Sequence, residues 1–451
     1  MRVRATILQT PRPGELQVLE DRLLTIDGSG AITAIGRGGR AEADSVPPDV
    51  ELPPDVVLVP GLVDTHVHAP QWPQLGTGLD LPLEEWLLAH TFPLEARYAD
   101  EAFARRVWAD LVPTLLANGT TTAVYYGSIH EPATVALAET CVEHGQRALV
   151  GRVAMDHPDA TPHDYRDAGP TAGIEASARS IEAIRALPGA NGLVSPIVTP
   201  RFIPACTDPL LAGLGELAAA TGTTVQTHCS ESDWEHTNVV NRCGRTDAAA
   251  LDGFGLVGEH TVLAHATHLD DRDRSLLAAR GAGVSHCPLS NVYFSERVFE
   301  LRSALAAGVR VGLGTDIAGG PDPSLLAQCG HAVGASRQLA RGGPGAPVDG
   351  RAGVDPVVDI TTAFWAATVG GAELAGLPVG LLEVGRPFDA VAVDLGPSGL
   401  GVWDEVDDWP RAFEKLVRLA RLSDFTDVWV AGRRVAGRQA GEARRRTSTV
   451  G

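Results

Sequence analysis

The sequence predicts an α/β protein: a (β/α)8 barrel of the TIM type, with a small β-sandwich domain built from both termini. Three observations lead to this prediction. A sequence pattern recurs through the middle of the chain: a helix-like segment, then a glycine, then a short apolar strand. Polar residues end many of these strands, and both ends of the chain are rich in short alternating strands. The 451 residues are enough to bury the core of one large domain and a smaller companion.

This recurring sequence pattern predicts eight parallel strands. Seven helix-like segments each end at a glycine that precedes a run of β-branched and small apolar residues; these glycines are Gly119, Gly145, Gly189, Gly222, Gly258, Gly281 and Gly308. Glycine past a helix end adopts the left-handed conformation without a steric penalty, and such runs suit strands buried on both faces. The strand before Asp64 completes the eight. An open doubly wound sheet is the alternative, but it does not explain the polar strand ends.

The domain limits follow from the same patterns. Residues 1–57 hold short alternating strands and glycine turns, and we expect them to form the N-terminal part of the β-sandwich. Residues 58–383 are expected to form the catalytic barrel, and residues 384–451 the C-terminal part of the sandwich followed by a tail. The stretch 341–354, rich in glycine and proline, predicts a loop.

Charge and composition exclude several classes of function. The net charge of −19 opposes binding to polyanions, so we expect no nucleic-acid partner and no membrane partner. No apolar stretch is long enough to span a bilayer, and the start of the chain lacks the apolar core of a signal peptide. The six cysteines are scattered and form no CxxC pair, which is typical of reduced thiols. We therefore expect a cytoplasmic enzyme.

Candidate functional residues lie at the carboxyl ends of the predicted strands, where the active sites of such barrels are built. The first strand ends in "DTHVH", the fourth in "VTPRF", the fifth leads into "THCSES", the sixth into "LAHATH" and the eighth into "GLGTD". These motifs supply His66, His68, Arg201, Phe202, His228, Glu231, His265 and Asp316.

Four of these residues predict a metal site. His66 and His68 are two residues apart on a strand, so both side chains point to the same face. An HxH pair alone is as compatible with a structural role as with a metal. The addition of His228 and Asp316 at other strand ends gives three imidazoles and a carboxylate, which suit a borderline divalent ion. Such an ion lowers the pKa of a coordinated water towards ~7.

Glu231 and Asp316 are candidate proton-transfer groups. Glu231 comes three residues after His228, beyond the strand end, where an acid can pass protons between water and substrate. The alternative is a helix-start carboxylate beside Asp233. Asp316 can serve as a ligand and as a proton acceptor, because a carboxylate has two oxygens.

The motifs "PGLVDTHVH", "THCSES", "LAHATH" and "GLGTD" resemble the strand-end signatures of the amidohydrolase superfamily, across nearly the whole chain. Binuclear members of that superfamily bridge two metals with a carboxylated lysine in the barrel. Lys415 is the only lysine and falls in the C-terminal region, so the resemblance implies a mononuclear site.

The segments "HVHAPQWPQLGTGLDLPLEEWL", "TFPLE", "VTPRF" and "GLGTDIAGG" resemble more closely the guanine deaminase family within that superfamily. This resemblance implies one zinc ion per subunit, held by His66, His68, His228 and Asp316. It implies that Gln71, Arg201 and Phe202 hold the purine, that Glu231 and His265 assist catalysis, and that the enzyme is a homodimer. His228 is expected to contact the substrate as well as the metal.

The chemistry of these side chains suits guanine. Gln71 offers both a donor and an acceptor to a carbonyl/N–H edge, and Arg201 offers fixed donors, unless it forms an internal ion pair. Trp72 and Phe202 could stack on the rings, whereas for Trp86 we favour a packing role. The expected reaction is hydrolytic deamination of guanine to xanthine and ammonia.

Three alternatives remain open at this point. The chain could deaminate a related ring such as 8-oxoguanine or a pterin, because the pocket loops decide that choice. It could be a non-deaminating amidohydrolase that removes halide or opens a cyclic amide. It could also be a scaffold that has lost the metal, although the ligand set is complete.

Overall fold

The two ends of the chain form one sheet. The computed structural model describes residues 1–38, 47–190, 192–295, 297–343, 356–396 and 400–437. The first five strands are β1 (Arg2–Arg12), β2 (Glu15–Ile26), β3 (Ile32–Arg37), β4 (Val50–Glu51) and β5 (Val56–Pro60). Three strands near the other end complete this sheet of eight: β16 (Ala390–Asp394), β17 (Phe425–Val430) and β18 (Arg433–Gly437). The order is β18-β17-β16-β5-β1-β2-β3, with β4 parallel to β1.

A second group of strands begins directly after β5. They are β6 (Leu62–His68), β7 (Thr120–Tyr126), β8 (Arg147–Gly151), β9 (Val153–Ala154), β10 (Val194–Pro196), β11 (Thr199–Pro200), β12 (Gln226–Cys229), β13 (Val262–His265), β14 (Gly283–His286) and β15 (Arg310–Leu313). Strand β5 lies between β1 and β16, so the N-terminal and C-terminal strands share one hydrogen-bonded sheet.

Eight strands of the second group form two parallel four-stranded sheets, β10-β8-β7-β6 and β12-β13-β14-β15, and β9 pairs with β11. Backbone hydrogen bonds join these sheets on both sides. Asp316 N–H donates to the His66 carbonyl after β15, and Gln226 N–H at the start of β12 donates to the Val198 carbonyl, each at 2.9 Å. Every residue of β6 and β7 is buried, as parallel strands covered on both faces require.

Helices separate these strands. The α-helices are Leu83–Trp86, Phe92–Ala96, Glu101–Ala117, Glu131–His144, Pro170–Arg185, Asp208–Thr221, Asp233–Cys243, Asp247–Gly253, Asp271–Arg280, Pro288–Phe294, Leu301–Ala306, Leu325–Ala340, Ile360–Trp365, Gly371–Ala375 and Trp409–Leu419. Short 3₁₀ or π turns are Ala69–Gln74, Leu87–Thr91, Arg97–Ala99, Ile203–Ala205, Ala366–Gly370 and Leu422–Asp424. Within the described ranges, no helix combines the length and the apolar character needed to cross a membrane.

The glycine pattern located the parallel strands correctly, but one of the seven glycines does not end a helix in the left-handed conformation. Six of the seven glycines have φ between 60° and 82°, and a parallel strand follows each of them. Gly258 is the exception, because it sits in a turn closed by its carbonyl and the Thr261 N–H. The left-handed glycine after the helix Asp247–Gly253 is Gly255, with φ of 75°. Of the expected loop 341–354, residues 344–354 lie outside the described residues, as does the tail from residue 438.

Candidate active site

Four predicted side chains meet where β6, β12 and β15 end. His66 and His68 both point to the same side of β6, His228 comes from β12, and Asp316 follows β15. The Asp316 Oδ1 atom is 3.1 Å from His66 Nε2 and 3.5 Å from His68 Nε2. His68 Nε2 is 2.9 Å from His228 Nε2. All four side chains are buried, and one nitrogen from each of the three histidines lies within 4.8 Å of the others.

This donor set fits a divalent cation. Burial lowers the pKa of His66, His68 and His228 well below the usual value, so their rings are neutral at neutral pH. His228 Nδ1 donates to the Arg201 carbonyl at 2.5 Å, which leaves a lone pair on its Nε2. Both ring nitrogens of His66 are buried and lack a hydrogen-bond partner among the described residues. Converging lone pairs beside a carboxylate are costly unless a cation satisfies them.

Neighbouring polar groups hold this arrangement in place. Ser290 Oγ donates to Asp316 Oδ2 at 2.5 Å. The buried Asp64 carboxylate accepts from the Thr315 N–H at 3.0 Å, from the Thr315 hydroxyl at 2.6 Å and from the His66 N–H at 3.2 Å. Burial raises the pKa of Asp64 to about 7. The sequence reasoning missed Asp64 and Ser290, although Asp64 stands within the "VDTHVH" motif.

Glu231 and His265 are buried close to these four side chains. His265 Nδ1 bonds the Asn291 Oδ1 at 2.8 Å, and its Nε2 is 3.7 Å from Glu231 Oε2 and 3.9 Å from Asp316 Oδ2. Because an amide oxygen only accepts, His265 Nδ1 carries the proton and Nε2 is free to accept one. Burial, and then the negative charge of Asp316, raise the pKa of Glu231 well above its usual value. Glu231 therefore holds a proton over a wider pH range than an exposed carboxylate.

Four residues in this region have strained backbones with positive φ, and two of them carry side chains of the site. His265 has φ of 66° and Asp316 has φ of 51°, in the left-handed region that side chains other than glycine rarely adopt. Such strain is found at functional sites, where the surrounding structure enforces it. Here it turns both side chains towards the same point beyond the strand ends.

A cavity with an empty volume of about 370 Å³ opens beside these groups. Its walls are formed by His68, Gln71, Leu83, Trp86, Leu87, Arg201, Phe202, His228, Glu231, Phe294, Asp316 and Gly319. The cavity has the mixed apolar and polar walls of a small-molecule site. It brings the predicted residues Gln71, Arg201 and Phe202 against the histidine and carboxylate groups.

The two tryptophans differ from the sequence interpretation. Trp72 is not among the cavity-lining residues, because its indole N–H donates to Asp110 at 2.7 Å and its ring faces the helix Glu101–Ala117. Trp86, for which packing was favoured, lines the cavity with its ring 5.1 Å from that of Phe294. Its indole N–H donates to the Thr77 carbonyl at 2.9 Å. Trp86 therefore lines this cavity and Trp72 does not, and a substrate contact at Trp72 stays a prediction.

Glu95 is a further residue that the sequence reasoning did not single out. It lies in the helix Phe92–Ala96, within the quoted "TFPLE", and its carboxylate is buried. It accepts from both terminal nitrogens of Arg201 at 2.5 and 3.1 Å, from Gln71 Nε2 at 3.1 Å and from the Tyr165 hydroxyl at 2.8 Å. Arg201 thus forms the internal ion pair considered as the alternative, and lines the cavity at the same time.

Comparisons with known proteins agree with this geometry. The amidohydrolase family profile matches residues 57–435. A probable guanine deaminase of Schizosaccharomyces pombe is 40% identical over 388 residues, which cover 84% of this chain and 71% of that protein. The crystal structure of guanine deaminase from C. acetobutylicum with bound guanine has a TM-score of 0.85 at 26% identity, covering 96% of this chain and 99% of that one.

A zinc-bound adenosine deaminase from Xanthomonas campestris has a TM-score of 0.79 at 27% identity, over 96% of this chain and 92% of that one. The family match covers most of the chain, and the Schizosaccharomyces pombe relative is similar over most of its own length. By sequence and by fold, this chain belongs to the amidohydrolase family and, within it, to the guanine deaminases.

Proposed function

We propose that this chain catalyses the hydrolytic deamination of guanine to xanthine and ammonia. The observation that carries the proposal is the cavity itself, which is lined by Gln71 and Arg201 together with Glu231, His68 and His228. Similarity to a guanine deaminase that holds guanine in its active site supports the same substrate. In the reaction water adds to the carbon that bears the amine, and the amine leaves as ammonia.

His66, His68, His228 and Asp316 would hold one zinc ion per subunit. Three neutral imidazoles and one carboxylate are a donor set that zinc favours, and the zinc-bound adenosine deaminase supports this choice of metal. The ion would supply Lewis-acid activation of a water molecule at neutral pH.

Glu231 and His265 would move the protons of the reaction. The raised pKa of Glu231 keeps a proton available at its carboxyl, which it donates to the ring nitrogen next to the reacting carbon. His265 Nε2 and the Asp316 carboxylate accept the proton that the attacking water loses. As the carbon–nitrogen bond breaks, the proton held by His265 and Asp316 passes to the departing amine, and the new hydroxyl group returns its own proton to the Glu231 carboxylate as it becomes the carbonyl of xanthine.

Gln71, Arg201, Phe202 and His228 would hold the purine. The Gln71 amide pairs with the carbonyl/N–H edge of guanine, and Arg201 donates to ring acceptors. The Phe202 ring packs edge-on against His228, with centroids 6.2 Å apart, and covers one side of the base. Adenine lacks the carbonyl, and each buried polar group that it left unpaired would cost ~1–3 kcal/mol.

The finer architecture is part of this proposal. We infer that the two four-stranded sheets close into a (β/α)8 barrel, which the hydrogen bonds across both of their edges support. We infer that residues 1–57 and 384–451 form the small β-sandwich domain and residues 58–383 the barrel, with β5 as the strand shared at the boundary. A homodimer in the cytoplasm remains our expectation; the six unpaired cysteines support a reducing compartment.

The proposal is tested by an ammonia-release screen over guanine, 8-oxoguanine, adenine, cytosine and pterins, with and without a chelator. We expect rapid release from guanine alone, and loss of that release when the metal is removed. Faster release from 8-oxoguanine or a pterin would reassign the substrate. If none of these compounds released ammonia, the proposed activity would be refuted.

A further inference from the structure

A buried ion pair forms one wall of the cavity. The side chains of Glu95 and Arg201 are 1% and 2% exposed, and two nitrogen–oxygen contacts of 2.5 and 3.1 Å join them. Arg201 lines the cavity, whereas Glu95 lies behind it and does not. The guanidinium also stacks over the Phe92 ring at 4.8 Å, so its position is fixed from a second direction.

The same carboxylate fixes the orientation of the Gln71 amide. Gln71 Nε2 donates to Glu95 Oε1 at 3.1 Å, and Gln71 Oε1 accepts from the Ala318 N–H at 3.2 Å. In the reverse orientation the amide oxygen would face the Glu95 carboxylate, acceptor against acceptor. The amide nitrogen would then face the Ala318 N–H, donor against donor. One N–H and one lone pair of this amide therefore remain for a ligand, and Glu95 determines where they point.

We propose that Glu95 is a positioning residue that sets charge selectivity: it cancels the charge of Arg201, so that the cavity binds a neutral oxopurine and does not retain the more acidic product. This inference rests on the proposed function. The product xanthine has two carbonyl groups flanking a ring N–H, which makes it more acidic than guanine, so a fraction of it is an anion near neutral pH. An uncompensated buried guanidinium would bind that anion strongly, because charges interact more strongly away from water.

No other charged group near Glu95 can take over its role. Among the described residues, the titratable side chains that interact electrostatically with Glu95, besides Arg201, are Tyr98, His130 and Tyr165. Burial raises the pKa of both tyrosines and lowers the pKa of His130, so all three are neutral at neutral pH. Arg201 also interacts electrostatically with the carboxyl groups of Glu231 and Asp316. Among the described residues, however, Glu95 is the only carboxylate that forms an ion pair with it.

The test measures equilibrium binding of xanthine and of hypoxanthine to the metal-loaded protein. Hypoxanthine has a single carbonyl and stays neutral where xanthine is largely an anion. The preference is the ratio of the affinity for xanthine to the affinity for hypoxanthine. At a pH above the first pKa of xanthine, we expect this ratio to be roughly tenfold higher in Glu95→Gln than in the wild type. At a pH below that pKa, the two proteins should have the same ratio. The matched control is Tyr165→Phe, which removes a hydrogen bond to Glu95 but keeps its charge, and should leave the preference unchanged at both pH values.

A preference in Glu95→Gln that equals the wild type at both pH values would overturn the inference. An equal loss of affinity for xanthine and for hypoxanthine would also overturn it, since that is the result that a purely structural role of Glu95 predicts. Should Glu95→Gln fail to fold, Arg201→Gln tests the same idea with opposite sign. The unpaired Glu95 carboxylate should then disfavour xanthine relative to hypoxanthine, again only above its ionisation, and an unchanged preference would contradict the inference.

Binding is measured without turnover, so this result is independent of the proposed reaction. If the wild-type protein released no ammonia from guanine, the proposed function would be refuted. The effect of Glu95 on charge selectivity could still be measured from the affinities for xanthine and hypoxanthine.

Discussion

At the scale of single residues, Glu231 is the group whose removal separates chemistry from metal binding. It lines the cavity, and its Oε2 is 3.7 Å from His265 Nε2, but it is not one of the four proposed ligands. We predict that Glu231→Gln retains the full metal content and lowers kcat by roughly 10²–10⁴-fold, the usual contribution of a positioned acid or base. Metal analysis and ammonia release on the same preparation check this. Normal turnover in the variant would remove Glu231 from the mechanism.

The two tryptophans provide a second test at this scale. Trp86 lines the cavity beside Phe294, whereas Trp72 bonds Asp110 outside it. We expect Trp86→Leu to raise KM for guanine by about tenfold through loss of aromatic contact. Trp72→Phe should change KM by less than about twofold. The reverse order in steady-state kinetics would restore the substrate role that the sequence suggested for Trp72.

The same residues mark the limit of sequence reasoning. The convergence of the four proposed metal ligands could be predicted because strand-end positions and residue types restrict them strongly. Trp72 follows Gln71 directly, but the 3₁₀ turn Ala69–Gln74 directs neighbouring side chains to different sides, which the sequence does not reveal. Glu95 was missed because its role depends on contacts with Arg201, 106 residues away. A lone glutamate in a short helix gives no local signal of such a contact.

At the scale of elements, the end of strand β14 carries a pH-dependent contribution to stability. His286 ends this strand, its ring is 5.2 Å from that of Phe299, and burial lowers its pKa to about 3. In the unfolded chain histidine has a pKa of ~6.5, so below that pH the unfolded state binds a proton that the folded state does not. The stability that His286 contributes is therefore complete above ~6.5, and is lost as the pH falls from ~6.5 towards the folded value.

We predict that the free energy of unfolding falls when the pH is lowered from about 7 to about 5, and that the fall is about 2 kcal/mol larger for the wild type than for His286→Gln. Urea unfolding of both metal-loaded proteins at the two pH values measures this difference. Equal pH dependence in the two proteins would show that the His286 ring can be protonated in the folded state. A smaller overall stability of the variant at neutral pH would not affect the comparison, because only the slopes are compared.

Elements were more predictable than contacts. Glycines after helix-like segments located the parallel strands, since a left-handed residue followed by β-branched residues is a local signal. Gly258 shows the limit of that signal, because a glycine in an ordinary turn looks the same in the sequence. Strand β11 lies at the predicted end of the fourth strand, in "VTPRF", but its separate pairing with β9 was not foreseen, since a pair of two-residue strands leaves no periodic pattern.

At the scale of the whole molecule, two connections join the parallel strands to the terminal sheet, which is the eight-stranded sheet formed by β1–β5 and β16–β18. Strand β5 continues after Gly61 into β6, so the sheet that holds both termini is covalently joined to the strand that carries His66 and His68. A buried ion pair makes a second connection. Arg147, at the start of β8, contacts Asp389, directly before β16, through nitrogen–oxygen distances of 3.0 and 3.4 Å. Asp389 Oδ1 also accepts from the Ala431 N–H at 2.7 Å.

We predict that Arg147→Met destabilises the protein by about 3–5 kcal/mol, because it leaves the Asp389 carboxylate buried without its counter-ion. The matched control is Arg105→Met, which removes an exposed ion pair with Glu101 and Glu139 and should cost less than about 1 kcal/mol. Restoring balance with Arg147→Met/Asp389→Asn should recover part of the loss, since no buried charge then remains unpaired. Chemical denaturation of the four proteins measures these differences. Equal small losses for Arg147→Met and Arg105→Met would mean that the terminal sheet is held to the parallel strands by apolar packing and the β5–β6 connection, without a contribution from this ion pair.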